Sequence, residues 1–259
     1  VSGASLTAAT SAAGGLGILA AVTMTGDQLA EAVATVKART GAPFGVNFRA
    51  DQPALADRID LCVREGVRLV SFAGAPTKDA IGRLHDAGIL VMPTVGARRH
   101  AEKMLDWGVD AVIAQGGEGG GHTGTIPTSL LLPQVVDAVG HAAPVLGAGG
   151  FHDGRGLVAA LAWGADGVAM GTRFLLTAES RVPDAVKARY LAAAVTDTVV
   201  TTALDGAPQR VIRTETVDRL ERSSVVTRLP RALRSALAFR KLTGTTLRDL
   251  VREGLAMRR

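Results

Sequence analysis

The sequence predicts an α/β chain of the (β/α)8 barrel type. Three observations point there. Helical and strand patterns alternate along most of the chain, with stop glycines at Gly41, Gly66, Gly88, Gly108, Gly140 and Gly164 spaced one βα unit apart. The strand segments are apolar on both faces, as a parallel sheet covered by helices requires. Glycine and polar residues fall at the C-terminal ends of many strands (Asn47, Thr94, Gln115, Gly149, Gly171), where a barrel gathers its site. An open doubly wound sheet, the structural rival, would cluster them at one switch point.

In chain order, residues 5–13 read as a short helix, Gly14-Gly15 as a turn and 16–20 as a strand. Thr25 caps a helix whose apolar face is Leu29, Val33 and Val36, and residues 43–48 follow as a strand. Leu55, Ile59 and Val63 mark the next helix, before a strand at 67–73. Ile81 and Leu84 mark another, before 89–95; Ala101, Met104 and Leu105 the next, before 109–115. Val135, Val136 and Val139 belong to a helix with Pro133 near its first turn, leading to a strand at 144–148. Asp153 caps a helix carrying Leu157, Val158 and Leu161, and 167–170 is the last strand. Seven strands are read where a closed barrel has eight, so the expectation is that the first strand lies before Val1.

Beyond Thr172, residues 183–195 read as a helix and 198–202 as extended, with a turn at Gly206-Ala207-Pro208. The expected domains are a barrel over 1–213 and a basic helical extension over 214–259. In the extension Leu233, Leu237, Leu242, Leu247 and Leu250 form the apolar side. Its basic residues read as a solvated face, or Arg228, Arg231, Arg234, Arg240 and Lys241 line an entry for a phosphate-bearing substrate such as an acyl-CoA.

Composition narrows the function. A chain of 259 residues with 47% hydrophobic and 20% charged content can bury a large core. The net charge of +5 comes with only 3% aromatics and dispersed basic residues, so an anionic small molecule explains it without nucleic acid. Cys62, the only cysteine, excludes an internal disulfide; it reads as a core thiol, and a reducing cytoplasm is the expected compartment. No apolar run reaches the roughly 18 residues of a membrane helix, and no cysteine pair or H-E-x-x-H supports a metal site.

The chemistry concentrates in Gln115-Gly116-Gly117-Glu118-Gly119-Gly120-Gly121-His122-Thr123-Gly124. Glycine at this density lets backbone approach a flat or charged ligand closely. An imidazole in a strand-end loop suits general-base work, so His122 is the candidate catalytic residue. His85, His100 and His141 sit on helices and read as structural; His152, beside a glycine loop, reads either way. Gly147-Ala148-Gly149-Gly150 and Met170-Gly171-Thr172 close the last two strands, a common position for a phosphate site. Asn47 and Gln115 are strand-end amides able either to cap loops or to hydrogen-bond a heterocycle, and a ring plus a phosphate suggests FMN.

Pro43-Phe44-Gly45-Val46-Asn47, the glycine-histidine stretch, Gly149-Gly150 and Ala169-Met170-Gly171-Thr172-Arg173-Phe174 resemble the nitronate monooxygenase (2-nitropropane dioxygenase) family, which also includes FMN-dependent enoyl-ACP reductases. The resemblance implies a TIM barrel in which Asn47, Gln115, Gly120, Gly150, Ala169, Met170, Gly171 and Thr172 hold FMN and His122 is the base. Gly121 and Gly149, in the same two loops, are placed with the cofactor-binding set. Gly119 departs from the family's usual alanine. The implied activity is oxidation of a nitronate or nitroalkane with O2 to a carbonyl compound and nitrite. Residues 237–244 resemble an actinobacterial subgroup acting on CoA thioesters in steroid-ring breakdown, which makes an acyl thioester and another electron acceptor the alternative. A homodimer is compatible with either. Two further readings are a flavin-binding protein without turnover and a Schiff-base aldolase. The aldolase wants a strand-end lysine, whereas Lys37, Lys78, Lys103 and Lys187 fall on predicted helices.

Overall fold

The computed structural model describes residues 2–222. The chain opens with α1 (Ala4–Ala12), β1 (Gly17–Ala20), α2 (Gly26–Arg39), β2 (Phe44–Arg49), α3 (Leu55–Arg64) and β3 (Leu69–Ala73). It continues through α4 (Lys78–Asp86), β4 (Leu90–Val95), α5 (Arg98–Asp106) and β5 (Val112–Gln115). A two-residue strand, β6 (Gly121–His122), precedes α6 (Thr128–Val139), β7 (Val145–Ala148), α7 (Gly154–Ala162), β8 (Gly167–Ala169) and α8 (Thr172–Leu175). The last described elements are α9 (Asp184–Ala192), β9 (Thr198–Thr201), β10 (Gln209–Ile212) and α10 (Glu215–Arg222).

Seven strands form one parallel sheet in the order β1-β2-β3-β4-β5-β7-β8. Spatial order follows chain order throughout, so there is no switch point, and the wall is that of a barrel rather than a doubly wound sheet. Among the described residues β1 and β8 are not paired with each other. A second, antiparallel sheet in the order β6-β10-β9 stands outside the repeat.

The helix assignments follow from local chemistry. Thr25 closes a capping box with Gln28, and Leu29, Val33 and Val36 are fully buried on the same face. Leu19, Val46, Val70 and Val91 stand in register across β1 to β4, all fully buried. Phe48 and Phe72 add a tilted aromatic pair with centroids 6.4 Å apart. Cys62 is buried, as its apolar surroundings predict.

Two details depart from the sequence reading. The helix expected near Pro133 begins earlier, at Thr128, so Pro133 lies inside it. Val63 points outward on α3, and Ile59, Leu61 and Cys62 form the buried face instead. Gly140 ends α6 as read from the sequence, at an ordinary helical φ of −63°, whereas Gly66, Gly88, Gly108 and Gly164 follow their helices left-handed. On α7, Leu157, Val158 and Leu161 are exposed, Val158 by 65%, while Ala160 is buried. That helix packs against β8, the last strand of the wall. Residues 223–259, with the arginines, Lys241 and the leucine stripe of the expected extension, lie outside the described residues.

Candidate active site

Parallel pairing aligns the C-terminal ends of the strands, and the loops leaving β5, β7 and β8 meet there. A Cβ added at Gly149 would come within 2.9 Å of the Gly119 amide nitrogen, and one at Gly120 within 3.0 Å of Thr172 Oγ1. At Gly150 it would touch Glu118 Cβ at 3.4 Å. The three glycine-bearing loops singled out from sequence are therefore neighbours. Gly149 and Gly150 adopt φ of +98° and +81°, conformations that side chains strain. The amides of Gly150 and Gly171 have no hydrogen-bond acceptor among the described residues, leaving donors at two facing loops for an anionic group.

Glu118 locks this arrangement. Its Oε2 accepts from the Thr128 amide at 2.8 Å and from Thr128 Oγ1 at 2.6 Å, and that hydroxyl also lies 3.0 Å from the Gly149 carbonyl. The carboxylate caps α6, whose Pro127 N-cap offers no side-chain bond of its own. Burial pushes the Glu118 carboxyl up, but the two Thr128 bonds and the Arg210 charge outweigh it and hold it below the usual range.

His122 is carried by β6, which pairs antiparallel with β10, setting His122 opposite Gln209. Its Nε2 lies 2.8 Å from Asp205 Oδ2, and its side chain is 63% exposed. Gln115 Nε2 donates to the His122 carbonyl at 2.6 Å. The Thr123 amide donates to the Pro208 carbonyl at 3.0 Å, and Arg210 Nη2 to the Gly117 carbonyl at 2.9 Å. The glycine loop is thus fastened to the wall by Gln115 and Thr128 and to the β9-β10 hairpin by Arg210, Pro208 and Asp205. Burial raises the Asp205 carboxyl, but bonds from Gln209, the Ala207 amide and His122 together leave it below its ordinary value.

The other predicted residues are placed as follows. Asn47 Nδ2 donates to Ser71 Oγ at 2.8 Å between β2 and β3, keeping its carbonyl oxygen for another partner. Ala169 ends β8, and Gly171 and Thr172 begin α8. Met170 lines a cleft of about 310 Å³ with His152, Asp153, Leu157, Arg173 and Phe174. Asp153 Oδ1 accepts from the Arg155 and Gly156 amides, a helix cap as expected. Lys37, Lys78, Lys103 and Lys187 all sit on helices. Asp205, Arg210 and Thr128 were not picked out from the sequence. Only the turn residues Asp205-Gly206 carried a local signal, because the contacts join loops far apart in the chain.

The chain matches the sequence profile of nitronate monooxygenase over residues 1–61 and 56–256, which is most of its length. It belongs to the nitronate monooxygenase family. Members of this enzyme family are oxidoreductases. A (3aS,4S,5R,7aS)-5-hydroxy-7a-methyl-1-oxo-octahydro-1H-indene-4-carboxyl-CoA dehydrogenase of Mycobacterium tuberculosis is 58% identical over all of this chain and 73% of its own length. FabK from Thermotoga maritima superimposes with a TM-score of 0.83 at 37% identity, covering 90% of this chain and 75% of that one. Nitroalkane oxidase from Streptomyces ansochromogenes gives 0.79 at 33% identity, over 84% of this chain and 75% of that one. This nitronate monooxygenase family member therefore has the barrel fold of those enzymes.

Proposed function

We propose that the protein is an FMN-dependent oxidoreductase acting on a CoA thioester, with His122 as its base. The observation that carries the substrate class is the 58% identity, across the whole chain, to a carboxyl-CoA dehydrogenase. The residues fit FMN. Gly149 and Gly150 leave a cradle that Cβ atoms would strain or fill, and the Gly150 and Gly171 amides are free to receive its phosphate. Thr172 Oγ1 beside Gly120 would add a hydroxyl, and the Asn47 carbonyl oxygen, its amide nitrogen being engaged by Ser71, would accept from a donor on the ring. Gly121 and Met170 flank these contacts, and Ala169 and Gln115 end the strands that carry them.

FMN supplies a two-electron redox centre when bound. The protein supplies position and proton handling. His122 takes a proton from the carbon next to the thioester carbonyl: the C–H bond breaks, an N–H bond forms, and the electron pair stays on the substrate. The Gln115 bond to the His122 carbonyl fixes the backbone from which the imidazole acts. A second reading is favoured by the family profile and the nitroalkane oxidase likeness. In it the substrate is a nitronate, or a neutral nitroalkane from which His122 first removes the α-proton, and O2 is the acceptor.

The test is anaerobic mixing of purified, flavin-loaded protein with an acyl-CoA and, separately, with a nitronate. Bleaching of the visible flavin band by the acyl-CoA alone is expected. Bleaching by the nitronate alone supports the second reading, and bleaching by neither with no turnover in air identifies a flavin binder without catalysis. A well-placed base is worth roughly 10²–10⁴ in rate, so His122→Ala should lose activity by about that factor and keep its flavin.

A further inference from the structure

We propose that Asp205 is a positioning residue that fixes the His122 ring in one tautomer, with the proton on Nε2 and with Nδ1 as the atom that accepts the substrate proton. The inference rests on the reading of His122 as the base and adds which nitrogen acts and what holds it.

The donors and acceptors of the two side chains fix where the proton sits. An ionised carboxylate only accepts hydrogen bonds. Asp205 is held ionised by its other partners: its Oδ1 accepts from the Ala207 amide at 3.1 Å, and the Gln209 side chain bonds the same carboxylate. The contact of 2.8 Å between Oδ2 and His122 Nε2 therefore requires hydrogen on Nε2. In the neutral ring the other nitrogen is then the acceptor. Nδ1 has no hydrogen-bond partner among the described residues, and the side chain is 63% exposed, so that nitrogen is open to a ligand.

The surrounding architecture is consistent with this placement. Asp205 lies in the turn between β9 and β10, 83 residues from His122. Gly206 holds the turn at φ +95°, and its amide bonds the Thr202 carbonyl at 3.0 Å. The register sets Gln209, which supports the carboxylate, directly across from His122. Ring and carboxylate are thus tied to the same two strands, which fixes their relative orientation. The hairpin is an accessory of the wall, and its function in this view is to present Asp205. When Nδ1 accepts a proton, the imidazolium keeps its Nε2–H bond to Asp205, and the adjacent negative charge offsets the new positive one.

The test uses flavin-loaded protein with wild-type sequence and with Asp205→Asn, Asp205→Glu and His122→Ala. Nitrogen-15 NMR of the imidazoles in alkaline buffer, with His122→Ala assigning the signal, should show His122 protonated on Nε2 in the wild type. Asp205→Asn should shift it toward a tautomer mixture and lower kcat at least about tenfold, with KM little changed. Asp205→Glu, which keeps the carboxylate, should recover part of the rate and the Nε2–H signature. A wild-type His122 signal from the Nδ1–H tautomer overturns the proposal whatever the variants do. So does an Asp205→Asn enzyme with wild-type kcat while His122→Ala is inactive, and in that case the base assignment stands. If His122→Ala keeps full activity the base assignment falls instead, and the tautomer signal still decides how Asp205 acts on the ring.

Discussion

Gly149 shows how much one position constrains the site. Its φ of +98° costs a non-glycine residue about 1–2 kcal/mol, and an added Cβ would press on the Gly119 amide at 2.9 Å and the Gly116 carbonyl at 3.0 Å. Gly149→Ala should therefore lower stability by about 1–3 kcal/mol, read as Tm, and weaken flavin retention in dialysis. Gly150→Ala shares the strained φ but meets only the Glu118 side chain, at 3.4 Å and beyond, so it should be the milder of the two. Both glycines and His122 stand out in the sequence as candidates, because glycine density around an ionisable side chain is a local signal. Asp205 was not. Its role depends on a turn 83 residues downstream folding back onto β6, and no local pattern encodes that distance.

Among the elements, α2 and α6 show two ways of starting a helix. Thr25 caps α2 from within its own sequence, and Thr25→Ala should cost about 1 kcal/mol in thermal or denaturant unfolding. In α6 the cap is Glu118, reaching from a loop ten residues earlier. That explains why the sequence set the helix start near Pro133: a distant carboxylate leaves no capping pattern beside Thr128. Because the Glu118 carboxyl is depressed in the folded state, its contribution is fully present above the unfolded glutamate value. It is lost as pH falls through the lower folded value. Glu118→Gln should therefore be less stable than wild type at neutral pH. The gap between the two should narrow in acid, as measured by urea unfolding at a series of pH values. Should the gap stay constant down to low pH, the carboxylate is not what holds the loop.

At the scale of the molecule, the repeat of helix and strand was readable because the strands are mostly apolar and regularly spaced between helices, and their spatial order follows chain order. The accessory sheet was not readable: β6 is two residues long among glycines, and its pairing is fixed by β10, far along the chain. Nor could periodicity reveal that the apolar stripe of α7 is uncovered among the described residues, since it measures how apolar a face is and not what meets it. The core that unites the wall includes Leu29 on the buried face of α2, fully enclosed, and Leu29→Ala should cost about 2–5 kcal/mol in denaturant unfolding. The same packing closes over Cys62, which is wholly inaccessible and whose thiol burial pushes up to about 12. Because the chain holds one sulfhydryl and packing seals it, alkylation counts molecules whose α3 has come away. Each protein thus carries a built-in stopwatch for its own opening. The lag before a mass tag appears, compared with and without added flavin, would read whether the proposed cofactor slows that opening.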